Sequence, residues 1–126
     1  MSRTVVLVED HAPVRELYAA ALSHGGWRVI ERPSAQGLLG VLRHDTPAAV
    51  VMDWTLPGHS GLEALQAIKR DPATRHVRVI ILTAHSASSL RAQALDAGAE
   101  QFLQKPLRPD MLLAALDGIE IRQPTI

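Results

Sequence analysis

The sequence of 126 residues contains no cysteine, no net charge and no long apolar run, and each absence excludes a class of protein. Without cysteine the chain forms no disulfide, zinc–thiolate site, iron–sulfur cluster or thiol nucleophile. Thirteen Lys and Arg balance thirteen Asp and Glu, so the basic surplus that binds nucleic acid or anionic membranes is missing. The apolar runs, including 5–8 and 48–52, are far shorter than the roughly 20 residues of a membrane span.

The composition that remains is that of an ordinary globular domain, with 47% apolar and 21% charged residues. Residues 1–3 lead directly into an apolar run that is too short for a signal peptide, so we expect a cytoplasmic location. We expect one domain over residues 1–122, a C-terminal tail over 123–126, and no effector domain in this segment.

Five short apolar runs alternate with five amphipathic stretches. The runs cover 4–8, 28–30, 48–52, 77–82 and 101–103. The first, third and fourth contain continuously apolar stretches, which is typical of strands covered on both faces of a parallel sheet. Five β–α units in succession predict a doubly wound α/β fold, a parallel sheet with five helices on two faces.

Helical spacing predicts which residues face the core. The positions expected to point inward are Val14, Leu17, Tyr18, Ala21 and Leu22 in the first helix, Ala35, Leu38, Leu39 and Leu42 in the second, Leu62, Leu65 and Ile68 in the third, Ala87, Leu90, Ala94 and Leu95 in the fourth, and Leu112, Ala115, Leu116 and Ile119 in the fifth. Ser60 and Glu63 form a capping box that begins the third helix.

Polar side chains follow four of the five apolar runs. The first run ends in Glu9 and Asp10, the third in Asp53, the fourth in Thr83, and the fifth in Lys105. The second run offers no matching group, which suits a strand at the sheet edge. Since such sheets bind ligands at the carboxyl ends of their strands, we expect these five residues to form one site.

These residue types suit phosphoryl transfer. Three carboxylates repel one another unless a cation lies between them, and an oxygen-only donor set favours Mg²⁺, with Mn²⁺ as the alternative ion. A carboxylate can also attack phosphorus. We therefore expect Asp53 as the nucleophile, the metal on Glu9 and Asp10, Thr83 as a hydroxyl donor and Lys105 as the counter-charge.

Four segments in this order resemble the motifs of one family. They are Val6–Asp10, Val51–Gly58 together with Gly61, Ile81–Ala84, and Phe102–Pro106. With them the chain resembles a bacterial two-component response-regulator receiver domain of the CheY-like type over essentially its whole length. The resemblance implies a flavodoxin-like fold whose five strands have the order 2-1-3-4-5.

The resemblance implies a phosphoacceptor rather than an enzyme acting on an external substrate. Asp53 would take a phosphoryl group from a sensor histidine kinase or a histidine phosphotransfer protein. Glu9, Asp10 and Asp53, with the backbone carbonyl of Thr55, would hold Mg²⁺.

The resemblance also implies how the signal leaves the site. Thr83 would hydrogen-bond the phosphoryl oxygen, Lys105 would pair with its charge, the bond before Pro106 would be cis, and Phe102 would swing inward as the switch aromatic. The partner would bind the face of the fourth helix, fifth strand and fifth helix. The expected contributors are Leu90, Arg91, Ala94, Gln101, Arg108 and Met111. The domain would be a monomer or a weak homodimer through that face, with neither nucleic acid nor membrane bound by this segment.

Two side chains near the expected site are candidates for setting the lifetime of the phosphorylated state. Thr55 lies two residues beyond Asp53, and His85 lies two residues beyond Thr83. We expect them to tune dephosphorylation by controlling the approach of water.

Two alternatives stay open on the sequence. One is a constitutive docking module with a receiver fold that is never phosphorylated. The other is a phosphatase of the haloacid dehalogenase type, which wants a general acid two residues after the nucleophile; Thr55 stands there instead, and no chain is left for a cap domain.

Overall fold

A computed structural model describes residues 3–56, 59–84 and 88–122 and contains a five-stranded parallel sheet. The strands are β1 (Thr4–Val8), β2 (Arg28–Arg32), β3 (Ala49–Asp53), β4 (Arg78–Thr83) and β5 (Gln101–Gln104). The helices are α1 (Ala12–His24), α2 (Leu38–Asp45), α3 (Gly61–Arg70), α4 (Ser88–Asp96) and α5 (Pro109–Arg122). The sheet order is β2-β1-β3-β4-β5, which confirms the predicted fold and the edge position of β2.

The strands extend further than the apolar runs that predicted them. Asp53 pairs with Leu82 in the neighbouring strand, and Thr83 pairs with Gln104. Both chemistry-bearing residues are thus the last residues of their strands rather than the first of a loop. An apolar run ends where the side chains become polar. The strand itself continues for as long as its backbone N–H and C=O groups pair with a neighbouring strand.

The sheet carries an apolar core on each face. Alternate residues of the central strands point to opposite faces. One face packs against α2, α3 and α4 through residues such as Leu42, Leu65 and Ala94, and the other packs against α1 and α5 through Leu22 and Leu116. The helices therefore cover both faces, as the doubly wound arrangement requires.

Two residues predicted to face the core are exposed. Leu17 in α1 is 57% exposed and Leu95 in α4 is 40% exposed, whereas Tyr18 and Leu22 in α1 are buried. The inward stripe of α1 is therefore narrower than the apolar pattern. A helix that packs on a sheet covers only the residues nearest to it, and the apolar stripe alone does not fix the helix's rotation.

Helix beginnings also differ in part from the sequence pattern. Ala35 precedes α2, which begins at Leu38 after Gly37, whose φ of 72° is left-handed. Helix α1 has His11 as its N-cap without a side-chain hydrogen bond, so Asp10 does not cap it. In α3 the predicted cap is present, since the Ser60 hydroxyl accepts from the Glu63 backbone N–H at 3.0 Å.

Ala87 and the tail over 123–126 lie outside the described residues. Within the part of the chain that is described, no helix combines the length and apolar character needed to cross a membrane.

Leu22 and Leu17 test the packing of α1, because both are leucines of the same helix but only Leu22 is buried. Leu22→Ala should lower the free energy of unfolding by about 2–5 kcal/mol, since it leaves a cavity between α1 and the sheet. Leu17→Ala should change it by less than about 0.5 kcal/mol. Urea unfolding of the two variants measures the difference, and equal losses would contradict the burial described for α1.

Candidate functional site

Three charged side chains meet at the carboxyl edge of the sheet. Asp53 ends β3, Glu9 follows β1, and Lys105 follows β5. The Lys105 ammonium Nζ lies 2.5 Å from Glu9 Oε1 and 2.6 Å from Asp53 Oδ2, so one cation bridges both carboxylates. Three segments that are far apart in the chain thereby form one polar site.

Backbone N–H groups hold the other oxygen of each carboxylate. Asp53 Oδ1 accepts from the Thr55 N–H at 3.0 Å, and Glu9 Oε2 accepts from the His11 N–H at 3.2 Å. The Glu9 side chain is only 4% exposed, so these bonds offset the cost of burying its charge. Both carboxylates are therefore fixed in orientation by the chain that follows them.

The charge of Lys105 is secured by its partners. Burial acts to lower the pKa of Lys105, but the hydrogen bonds to Asp53 and Glu9 and the attraction of their charges raise its pKa above the ordinary value. The ammonium thus stays protonated throughout the neutral range. It supplies a permanent positive charge directly against Asp53.

Thr83 lies beside this group on the neighbouring strand and is fully buried. Its backbone carbonyl accepts from the Lys105 N–H at 2.7 Å, and the Trp54 N–H donates to the Leu82 carbonyl at 2.8 Å. These bonds fasten the ends of β3, β4 and β5 together. Thr83 therefore belongs to the same rigid edge as Asp53 and Lys105.

The segment after Asp53 turns back on itself in a short antiparallel ladder, in which Thr55 pairs with Ser60. Gly61 then packs on the segment that carries Asp53. A Cβ at Gly61 would lie 2.7 Å from the Trp54 Cα and carbonyl oxygen and 2.9 Å from the Asp53 carbonyl oxygen. The Gly61 N–H donates to that Trp54 carbonyl at 2.6 Å. Only glycine fits this contact, which fixes the backbone that carries Asp53.

Asp10 departs from the expected convergence of three carboxylates. It follows Glu9 in the chain but is exposed, whereas Glu9 and Asp53 share the Lys105 ammonium. Among residues 3–56, 59–84 and 88–122 no three His, Cys, Asp or Glu side chains form a group that could hold a metal ion. The metal-binding roles of these residues stay predictions.

Phe102 lies inward, with 7% of its surface exposed. Its ring meets that of Trp54 edge-on, at 6.0 Å between centroids and 75° between planes. Arg91 in α4 donates to the Phe102 backbone carbonyl at 3.1 Å. The ring expected to swing inward thus already occupies the interior beside the residue that follows Asp53, and its switch role stays a prediction.

The expected output face is exposed in part. Arg91, Arg108 and Met111 are exposed, and Leu90 and Gln101 are half-buried. Ala94 is fully buried against the sheet, so its expected place on that surface is wrong. Its position in α4 points to the core because the helix must cover β4 and β5 with one face.

The remaining predicted residues divide into those described and those that are not. Thr55 is exposed beside Asp53, and the peptide bond between Lys105 and Pro106 is cis, as the resemblance implies. His85 and the segment 57–58 lie outside the described residues.

Two contacts near the site were not expected from the sequence. Arg15 in α1 donates to the Glu9 backbone carbonyl at 2.8 Å and pairs with Glu31 at 3.4 Å. Tyr18, one turn further along α1, donates to the Leu107 carbonyl at 2.8 Å. The sequence offered one signal for these contacts. Arg15 and Tyr18 are three residues apart, and residues at that spacing lie on the same face of a helix.

Comparison with known proteins decides the family. The family model of the response regulator receiver domain matches residues 5–117. The chain belongs to that family. It is similar to the phosphate regulon transcriptional regulatory protein PhoB of Pseudomonas aeruginosa, with 34% identity over 119 residues that make up 94% of this chain and 52% of PhoB. This receiver domain thus spans about half the length of the curated PhoB relatives that it matches.

Solved structures support the same assignment. A two-component response regulator of the LuxR family from Aurantimonas superposes with a TM-score of 0.84 and 34% identity, over 98% of this chain and 88% of that one. The BeF3-activated receiver domain of DrrB, a Thermotoga maritima protein, gives 0.85 and 26%, over 97% and 100%. The haloacid-dehalogenase alternative is thereby set aside.

Gly61 offers a test of how the receiver domain holds its acceptor segment. Gly61→Ala should lower the free energy of unfolding by about 1–3 kcal/mol, because its Cβ meets backbone atoms that cannot move aside cheaply. Gly40 in α2 is the matched control: a Cβ there meets nothing within 4 Å, so Gly40→Ala should stabilise by about 0.5–1 kcal/mol. Denaturant unfolding should give opposite signs, and a neutral Gly61→Ala would refute the close contact.

Lys105 makes a pH-dependent contribution to stability. Lys105→Met should cost about 2 kcal/mol in metal-free buffer, since it leaves Glu9 and Asp53 close together without their cation. The pKa of Lys105 is raised above 10.5, so the loss should be constant from pH 7 to 9 and shrink only as the pH rises through that raised value.

Arg108→Met is the control for Lys105, because Arg108 pairs with Asp110 and both side chains are exposed at the surface. It should change stability by less than about 0.5 kcal/mol. A loss for Lys105→Met no larger than that of the control would contradict the described site.

Proposed function

We propose that the receiver domain accepts a phosphoryl group on Asp53 from the phosphohistidine of a histidine kinase or a phosphotransfer protein. The observation that carries this proposal is the Lys105 ammonium at 2.6 Å from Asp53. It sets a fixed positive charge beside a carboxylate whose other oxygen is held by the Thr55 N–H. A nucleophile and a counter-charge in fixed geometry are what phosphoryl transfer requires.

In the proposed step a carboxylate oxygen of Asp53 attacks the phosphorus atom of phosphohistidine. The new O–P bond forms as the N–P bond breaks, and the electron pair of that bond stays on the imidazole nitrogen, which then takes a proton. Lys105 neutralises charge on the transferring oxygens, and the adjacent backbone keeps Asp53 in place.

The donor chemistry supports a divalent ion, since Glu9 and Asp53 converge on one cation through carboxylate oxygens. Mg²⁺, or Mn²⁺, would be held by Glu9, Asp10 and Asp53 with the Thr55 carbonyl. When bound it would neutralise phosphoryl oxygens. Exposed Asp10 is free of the Lys105 bridge and available to such an ion.

The proposed signal is a change in charge and hydrogen bonding at the sheet edge. A phosphorylated side chain carries about two negative charges and three acceptor oxygens. Lys105 would give up its hydrogen bond to a carboxylate and pair with these oxygens instead. Thr83 would donate a hydrogen bond to one of them. Thr83 is fully buried at the end of β4, so this hydrogen bond would draw the end of the strand toward Asp53.

That shift would be transmitted beside the site. Phe102 lies on the strand next to β4 and packs against Trp54, so a movement of β4 alters the environment of both rings. Phe102 is also tied to Arg91 in α4 through its carbonyl. The face of α4, β5 and α5 is thus the surface where a downstream partner would read the change, by shifting a two-state equilibrium.

Asp53→Asn is the direct test. The wild-type domain, given a small acyl phosphate and Mg²⁺, should gain the mass of one phosphoryl group, and Asp53→Asn should gain none. Asp110→Asn, an exposed carboxylate at the start of α5, is the matched control and should be labelled like the wild type.

Trp54 provides a second readout of the same test, with Trp27→Phe removing the other indole signal. Mg²⁺ followed by beryllofluoride should change its fluorescence, and in the Asp53→Asn variant beryllofluoride should have no effect. A folded wild-type domain that takes neither group would favour the constitutive docking module instead. Equal labelling of Asp53→Asn would show that another residue is the acceptor.

A further inference from the structure

The loop that carries Lys105 is tied to α1 by a tyrosine. Tyr18 is 5% exposed, and its hydroxyl donates to the Leu107 backbone carbonyl at 2.8 Å. Leu107 stands two residues after Lys105, at the far end of the turn between β5 and α5. The bond therefore joins the middle of α1 to the segment from which the bridging ammonium extends.

The near end of this turn is fixed by the sheet, since the Lys105 N–H donates to the Thr83 carbonyl at 2.7 Å. The next residue, Pro106, cannot continue this backbone hydrogen bonding, because it has no N–H to donate. The Tyr18 hydroxyl satisfies a carbonyl just past that proline. The lysine is thus held between a backbone bond on one side and a side-chain bond on the other.

The Tyr18 hydroxyl is held in place and keeps the proton that it donates to the Leu107 carbonyl. Its ring packs in the core between α1, α5 and the sheet, together with Leu22 and Leu112. Burial raises the pKa of Tyr18; the nearby charge of Lys105 acts to lower it and that of Glu9 to raise it. The hydroxyl therefore stays protonated across the neutral range, and it lies within electrostatic reach of the acceptor site.

We propose that Tyr18 is a positioning residue for Lys105, whose hydroxyl holds the β5–α5 turn so that the ammonium stays against Asp53. The proposal rests on the phosphoacceptor function proposed above. Tyr18 does not touch the reacting atoms, and its effect on phosphorylation would pass entirely through Lys105.

A double-mutant cycle tests this route. Tyr18→Phe removes only the hydroxyl and should slow phosphorylation by a small acyl phosphate about 3–10-fold, the effect of losing one buried hydrogen bond. In a Lys105→Ala background, the same change should leave the already reduced rate unaltered, because the residue that Tyr18 positions is gone. A general loosening of the fold would instead slow both backgrounds by the same factor.

A second readout does not depend on phosphoryl transfer. NMR of the Lys105 ammonium, with no phosphoryl donor present, should show faster proton exchange with water in Tyr18→Phe than in the wild type. Leu17→Ala, the adjacent exposed residue of α1, is the control and should match the wild type in exchange and in rate.

The outcomes separate the two proposals. A wild-type domain that takes no label overturns the phosphoacceptor function and, with it, this role of Tyr18. Normal labelling of the wild type with an unchanged Tyr18→Phe rate, or with equal slowing in both backgrounds, overturns the role of Tyr18 alone.

Discussion

A single ammonium group holds the functional edge of this domain together. Lys105 bridges Glu9 and Asp53, which lie 96 and 52 residues away in the chain. Glu9 is almost fully buried, and a buried carboxylate is costly unless a charge or several donors compensate it. The same contact that makes burial of Glu9 tolerable also presents Asp53 to a fixed positive charge. Stability of the edge and the proposed phosphoryl chemistry would therefore have one physical origin.

The backbone around the Lys105 bridge restricts the movement of Asp53, the proposed acceptor. The Thr55 N–H holds one oxygen of Asp53, and Gly61 packs so closely on Asp53 and Trp54 that no side chain fits. Thr83 and Lys105 are joined across the neighbouring strands by a backbone bond. Such preorganisation lowers the cost of aligning a nucleophile, because the alignment is made during folding rather than in the reaction.

Helices on both faces contact this edge through side-chain hydrogen bonds. On one face, Tyr18 of α1 reaches the turn after Lys105. On the other, Arg91 of α4 reaches the carbonyl of Phe102, whose ring rests on Trp54. A change of charge at Asp53 is therefore adjacent to both helical layers. Under the proposed function, this adjacency would let phosphorylation of Asp53 alter the surface of both helical layers.

The sequence by itself determined the parallel sheet and the meeting of Asp53 with Lys105, because buried parallel strands are continuously apolar and their carboxyl ends share one edge. Only the tertiary structure decided that Leu17 and Leu95 are exposed and that the Tyr18 hydroxyl bonds to the turn after Lys105. Periodicity within one element reveals an apolar stripe. How far a helix is rotated against the sheet, and which polar atoms then come within hydrogen-bond distance, depends on packing between segments that are distant in the chain.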